Sequence, residues 1–432
     1  MIAYRSTRGS VADTALSAAI LAGLAPDGGL YVPSEVPQLG LRDFAGATRL
    51  SDVAVRLLAP WFDGDALASE LPAMCQAAFD FDLPLADTRD PATRVLELFH
   101  GPTAAFKDFG ARFLAQCMLR LNPRSEREVT VLVATSGDTG SAVAAAFHRM
   151  PGVRVVILYP DGRVSPRQAH QLGCFGDNIR AYRVAGSFDD CQRLVKQAFA
   201  DDALRTARPL ASANSISLGR LLPQMAYYAH AALATARVGR PPLDLVVPTG
   251  NLGNAFAAVL ARAAGLPIGR IVLATNANRV LPDFLASGDY VPTPSLATLA
   301  NAMDVGNPSN AERLRWLHPD LAGLRAAVSA DSVDDDAIRA AIVAGESRYG
   351  MVFCPHTACG IVVRERIAAA GDAASWCVVA TAHPAKFETV VEPLLGRAVE
   401  PPPALAAMLE RPAHADALAA DYAALRVLLM KD

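Results

Sequence analysis

Two stretches of this chain repeat one plan: an unbroken apolar run, a short glycine-bearing turn, then an alanine-rich segment with helical spacing. The first reads VTVLVAT (Val129 to Thr135), SGDTG, SAVAAAFHRM, and the second LDLVVPT (Leu243 to Thr249), GNLGN, AFAAVLARAAG. A strand that is apolar at every position must be covered on both faces, which is the habit of parallel strands flanked by crossover helices. Further β-rich runs lie near Val153 (VRVVILY), Arg270 (RIVLAT) and Trp376 (WCVVAT). The predicted fold class is therefore α/β, with two open, mostly parallel sheets. A chain of 432 residues is long enough for two or three cores. Expected limits are a mixed, helix-rich N-terminal domain over 1–92, a first α/β domain over 93–238 and a second over 239–432. GRPPL, from Gly239 to Leu243, reads as the linker, and the alanine-rich tail after Pro401 to Pro403 as helices.

The bulk charge excludes several partners. A net charge of −3 gives no basic field for nucleic acid or an anionic membrane. The apolar run from Ala15 to Ala25 is too short to span a bilayer and stops at PDGG, so it reads as a buried helix of a cytoplasmic protein. Seven cysteines without C-x-x-C pairs suit reduced thiols. CPHTAC, from Cys354 to Cys359, brings two thiols near His356, but no second cluster completes a ligand set; small buried thiols are expected and no metal.

Of 40 basic residues only four are lysines: Lys107, Lys196, Lys386 and Lys431. Arginine replaces lysine in most roles, but only a primary amine condenses with an aldehyde to an imine. Lys431 lies at the tail and Lys196 in a plausible surface helix. Lys386, in TAHPAKFETV, has Glu388 and Glu392 within reach as surface partners. Lys107 precedes FGARFLAQCML, whose apolar spacing is helical, so its amine faces the positive end of a helix dipole. A free lysine is neutral in only about one molecule in 2,500 at pH 7. A positive local field and an apolar wall of Phe106 and Phe109 would raise that fraction. Lys107 is the candidate nucleophilic amine.

The two glycine turns suit anions, because a turn opening a helix presents several backbone N–H groups. In GNLGN, Gly250 and Gly253 permit close approach, while Asn251 and Asn254 offer side-chain donors. An ordinary strand-to-helix turn accounts for the same residues. In SGDTG, Ser136 to Gly140, hydroxyls and N–H groups suit a carboxylate or phosphate; alternatively Asp138 and Thr139 cap the next helix.

HGPTAAFKDFG, TSGDTGSA, PTGNLGN and ATAHPAKF, in that order, resemble the threonine synthases, within the tryptophan-synthase-β-like group of pyridoxal-phosphate enzymes. DGGLYVP, ILYPDGRVSPRQ, SANSISLGRLLPQ and NAMDVGNPSN extend the resemblance over nearly the whole chain. It implies a threonine-synthase-type N-terminal domain and pyridoxal 5'-phosphate as cofactor. Lys107 would hold that cofactor as a Schiff base and move substrate protons. Gly250, Asn251, Leu252, Gly253 and Asn254 would cradle its phosphate, Asp138 face its ring oxygen and Thr381 its ring nitrogen. Many relatives carry Asn at the position of Asp138. Thr135, Ser136 and Thr139 would hold the substrate carboxylate, and Arg112 or Arg163 its phosphate. Asn214 and Asp304 fall in family-like segments without an assigned role. The implied activity is that of a carbon–oxygen lyase making L-threonine from the small molecule O-phospho-L-homoserine and water, inside a site that closes against bulk water. The alternatives are a phospho-lyase releasing a 2-oxo acid, or a ligand sensor without catalysis.

Overall fold

The computed structural model describes residues 2–121 and 128–431. The long apolar runs all became interior strands: Val153–Pro160 and Trp376–Ala380 are buried at every position. They are divided between two sheets. One, of six strands, runs in the order Ser329–Ser332, Ile268–Thr275, Leu243–Pro248, Trp376–Ala380, Thr93–Glu97, Leu85–Asp87. It is parallel except for the edge pair Leu85–Asp87 with Thr93–Glu97. The other, of five parallel strands, runs Asp416–Ala419, Ile179–Ala185, Val153–Pro160, Val129–Ala134, Leu210–Ala211. The α/β expectation with two open, mostly parallel sheets holds. Ahead of them the helices Leu16–Ala22, Leu50–Leu58 and Leu71–Ala78 and a small antiparallel pair, Tyr4–Ser6 with Tyr31–Pro33, form the helix-rich N-terminal part.

The sheets cut across the expected limits at 92 and 238. Thr93–Glu97, placed with the first half, joins the second-half strands through Trp376–Ala380. In the tail, Asp416–Ala419 is a strand where helix was expected, and it extends the first-half sheet beside Ile179–Ala185. Helices Pro403–Leu409 and Tyr422–Lys431 flank it. The reason is physical: an apolar run reports that a strand is buried, not which sheet accepts it. DALA, at a sheet edge with only Leu418 buried, lacks even that signal.

Loops from four parallel strands converge at their carboxyl ends, the usual site of ligands in open α/β sheets. Thr93–Glu97 leads to Lys107, Val129–Ala134 to Thr135–Gly137, Leu243–Pro248 to Thr249–Leu252, and Trp376–Ala380 to Thr381. The N-terminal part is clamped to this face by Arg313, which is wholly buried. Its guanidinium donates to the Tyr31 carbonyl (2.9 and 3.1 Å), the Ile216 carbonyl (2.6 Å) and Asn310 Oδ1 (2.8 Å). Burial brings its pKa down to about 9, against the opposing charge of Glu312.

Lys196 lies exposed on the helix Phe188–Ala200, and Lys431 on the last helix. All seven cysteines are buried free thiols. Among the described residues no helix is long and apolar enough to cross a membrane. Replacing Arg313 by Met leaves buried carbonyls without donors. We expect a stability loss of at least about 2 kcal/mol, read as a lower urea midpoint; an unchanged midpoint would contradict the clamp.

Candidate active site

The approach to Lys107 is built by hydrogen bonds between two strand-end loops. Phe106 N donates to the Thr381 carbonyl (2.8 Å) and His383 N to the Ala104 carbonyl (3.0 Å), with an antiparallel bridge between Ala105 and Ala382. Ala104 adopts a left-handed φ of 55°, which turns the chain into the helix Lys107–Leu121. Asp108 fastens the loop from behind: its carboxylate accepts from Thr103 N (2.9 Å) and Thr103 Oγ1 (2.7 Å). Burial raises the Asp108 pKa despite those bonds and the charges of Lys386 and Arg112.

Lys107 Nζ stands 4.3 Å from the Phe106 ring centroid. Desolvation, helped by the Arg220 cation and opposed by Asp138, lowers its pKa to about 8. At pH 7 about one amine in ten is then neutral, a gain of more than two orders of magnitude over a free lysine. Phe106 rather than Phe109 forms the apolar wall; Phe109 packs into the core against Tyr227 and Phe81.

The pocket holding Lys107 is also lined by Asp138, Gly250, Asn251, Gly253, Asn254 and Thr381, so most of the residues singled out in the sequence meet in one place. Leu252 has φ 64° and caps the helix Gly253–Ala263. Among the described residues no acceptor meets the backbone N–H groups of Gly250, Asn251, Leu252 or Gly253. The loop can therefore take an anion through its main chain. The side chains are not available as expected. Asn254 closes its own loop, accepting from Thr249 Oγ1 (2.7 Å) and donating to the Pro248 carbonyl (2.9 Å). Asn251 donates to Ser215 Oγ (2.6 Å) and accepts from Ser309 N (2.6 Å). Gly250 is required by proximity, since a Cβ there would lie 2.7 Å from Met303 Cα. Met303 belongs to the turn Asn301–Met303, anchored next door by half-buried Asp304, which accepts from Thr298 Oγ1 (2.7 Å) and Asn276 Nδ2 (2.8 Å). Burial lifts Asp304 to about 7 in spite of those bonds. Asn214 is exposed and accepts from Ser215 N.

The SGDTG turn contributes unevenly. Asp138 opens the helix Asp138–Phe147 and points into the pocket. Thr135 Oγ1 accepts from Gly137 N (3.0 Å) and Gly140 N (2.9 Å), so it organises its own turn. Ser136 and Thr139 are partly exposed and lie outside the pocket lining. Both arginines nominated for an anion are elsewhere. Arg112 turns outward to the Ala77 and Ala78 carbonyls and Asp80, and Arg163 is exposed on the loop after Val153–Pro160.

Lys386 also departs from expectation. It is not a surface lysine but wholly buried, with Nζ 2.9 Å from Asp138 Oδ1 and donating to the Thr103 carbonyl at 2.7 Å. Glu388 and Glu392 instead meet Arg167. Burial works against the Asp138 charge, yet Lys386, His356 and the bond from Gln168 hold its pKa below the usual range.

Sequence reasoning missed Arg220 and His356 as pocket residues. Arg220 is 2% exposed, lines the pocket and donates to the Ala213 carbonyl through Nη1, while its Nε, without a partner among the described residues, lies against the Gly110 backbone. Its segment, SANSISLGRLLPQ, was noticed only as a resemblance. His356 accepts from Ala302 N through Nε2 (3.1 Å), and burial drives its pKa down to about 4, so it is neutral. Cys354 Sγ caps the helix Pro355–Ala369, and Cys359 donates to the Thr275 carbonyl.

A desolvated amine, a main-chain anion cradle and an unpaired Thr381 hydroxyl on one pocket fit pyridoxal phosphate, and the fold and site define a pyridoxal-phosphate enzyme. Residues 95–384 match the family described as pyridoxal-phosphate dependent enzyme, 3–79 the threonine synthase N terminus, and 357–428 the threonine synthase C-terminal region. The chain is 40% identical over 420 residues to threonine synthase of Haemophilus influenzae, covering 96% of each chain. It is 39% identical over 416 residues to that of Escherichia coli, covering 95% of each. The crystal structure of pyridoxal-phosphate-bound threonine synthase from Brucella melitensis superposes with a TM-score of 0.90 at 35% identity, covering 100% of this chain and 99% of that one. The chain belongs to the threonine synthase family.

A methyl at Gly250 would push Met303 and the free N–H groups apart. Overpacking of this kind costs about 1–3 kcal/mol. Gly250→Ala should weaken cofactor binding to the apo-protein by roughly 5- to 150-fold in a fluorescence titration. The rate at which apo-protein forms its Schiff base with pyridoxal phosphate should follow the neutral amine. For an amine with the Lys107 pKa of about 8 the rate should rise about tenfold from pH 7 to 9 and then level in stopped-flow absorbance; a rate still climbing above pH 9 would point to an amine other than Lys107.

Proposed function

We propose that this pocket converts O-phospho-L-homoserine and water into L-threonine and phosphate, with Lys107 as the cofactor-bearing amine and proton carrier. The observation that carries the reading is one pocket holding a proton-poor amine, a free main-chain anion cradle and the Arg220 cation. Bound pyridoxal phosphate supplies the electron sink for charge developing at the substrate's α carbon. Thr381, at the end of Trp376–Ala380, offers a hydroxyl instead of a carboxylate to the cofactor ring, and the N–H groups of Gly250 to Gly253 take the cofactor phosphate. Once displaced by substrate, the Lys107 amine takes the α proton, and Phe106 keeps water from its nitrogen. The β carbon gives up a proton as phosphate leaves the γ carbon, and the γ carbon takes a proton to become a methyl. Water adds its hydroxyl at the β carbon, and a proton returns to the α carbon.

The substrate brings its own phosphate, and Arg220 is the only arginine lining the pocket among the described residues. Burial lowers its pKa only to about 10, so it stays cationic while Lys107 titrates. We assign the departing phosphate to Arg220 and Ser215, in place of Arg112 or Arg163. Ser136 and Thr139, whose hydroxyls have no partner among the described residues, flank Asp138 just outside the pocket lining and are the candidates for the substrate carboxylate.

The test follows phosphate, threonine and 2-oxobutyrate together in holo-protein given O-phospho-L-homoserine. Equimolar phosphate and threonine are expected; phosphate with 2-oxobutyrate would instead place a phospho-lyase on this scaffold. Arg220→Gln should raise KM for the substrate roughly 30-fold or more, the effect of removing one partner of a buried charge contact. An unchanged KM would return the phosphate to another residue.

A further inference from the structure

Lys386 is a buried cation that the reaction described above does not use. Its backbone is pinned from the helix Pro166–Gly173: Ser165 Oγ donates to the Lys386 carbonyl (2.6 Å), and Arg167 Nη1 to the Ala385 carbonyl (2.9 Å). Gln168 of the same helix donates to Asp138 Oδ1 (3.0 Å), the oxygen that Lys386 Nζ also meets. Both donors thus gather on Oδ1, and among the described residues no protein donor reaches Oδ2. One helix and the short turn Pro384–Phe387 fix the carboxylate from behind and leave its other oxygen toward the pocket.

Burying an ion pair is a poor way to gain stability, since an apolar pair of the same volume commonly does as well. Its value here lies in the charge balance around Lys107. The charged and titratable groups facing Asp138 and Lys107 are few. Lys386 comes from Pro384–Phe387, whose preceding residue His383 feels its charge, and His356 from Pro355–Ala369, with the buried Cys354 thiol at that helix's start. Arg220 comes from Leu218–Leu221, and Asp108, on the helix of Lys107, acts on Arg220 and Lys386. His356 is neutral and Arg220 lies on the Lys107 side, where it repels the ammonium form. Without Lys386, the cation left to answer Asp138 is the Lys107 nitrogen.

We propose that Lys386 is a positioning residue of the active site, serving as the contact counter-ion of Asp138 so that the Lys107 nitrogen is not held charged in that role. The proposal rests on Lys107 being the cofactor-bearing amine. Lys107→Ala tests that separately, by loss of the lysine-bound absorbance. The experiment for Lys386 titrates the absorbance of bound cofactor against pH in purified holo-protein, with no substrate present. Lys386→Met leaves Asp138 unbalanced, and the midpoint should rise by about one pH unit or more, a tenfold gain in proton affinity. Asp138→Asn leaves Lys386 unbalanced, and the midpoint should fall by a similar amount. The double variant removes both charges and should return close to the wild-type midpoint. Lys386→Arg, which keeps the charge, should stay near wild type.

A purely structural lysine predicts loss of cofactor or stability with the midpoint unmoved. That result, a fall in Lys386→Met, or a double variant that fails to return would overturn the proposal. If Lys386→Met does not fold, Asp138→Asn and the double variant still decide: a lowered midpoint that the second substitution does not restore refutes the pairing.

Discussion

The site depends on keeping a primary amine short of protons while a carboxylate shares its pocket. These demands conflict, because an anion stabilises the ammonium form. The conflict is resolved by burial and by arrangement. Desolvation and Arg220 act on Lys107 from one side, while the Asp138 charge is answered by Lys386 on the other. Moving any one of these groups by a few ångströms changes the proton affinity of the amine.

The interleaved chain path makes such placement possible. Lys107 follows a strand that pairs with Trp376–Ala380, so the amine and Thr381 emerge side by side from one sheet. Asp138 arrives from the other sheet, and Lys386 reaches it from just beyond Thr381. The contact is held by the helix Pro166–Gly173, whose Arg167 bonds the Ala385 carbonyl and pairs with Glu392. The junction between sheets and the electrostatic centre of the pocket are the same set of contacts. Disturbing the packing between the halves therefore disturbs the amine.

Sequence patterns exposed what is local. Continuous apolar runs marked the interior strands, and a lysine opening an amphipathic helix in a chain poor in lysine marked Lys107. The glycine turn marked a loop of the pocket lining, though not that Asn251 and Asn254 would commit their side chains to Ser215, Ser309, Thr249 and Pro248. What stayed hidden was long-range pairing. Lys386 has acidic neighbours in sequence, and only the fold diverts Glu388 and Glu392 to Arg167 and brings Asp138 to the lysine. Arg112 sits beside Lys107 in sequence, but helical geometry turns it outward to Asp80. Arg220 is remote in sequence and inside the pocket. Thr93–Glu97 and Asp416–Ala419 follow the same rule: pairing chose their sheets, and the pairing partners are distant.

The division between lysine and arginine now has a chemical reading. A guanidinium keeps its charge even when burial lowers its pKa, so Arg220 is a fixed positive field through the neutral range. An ammonium can lose its proton, and Lys107 sits where that loss is brought near neutrality. Lys386 is the informative intermediate case. Buried as deeply as Arg220, it meets the Asp138 carboxylate at 2.9 Å and donates to the Thr103 carbonyl at 2.7 Å. In a chain that otherwise favours arginine, two of the four lysines thus stand on either side of Asp138: Lys107 lines the pocket with its proton affinity lowered by burial, and Lys386 lies behind as the partner of the carboxylate.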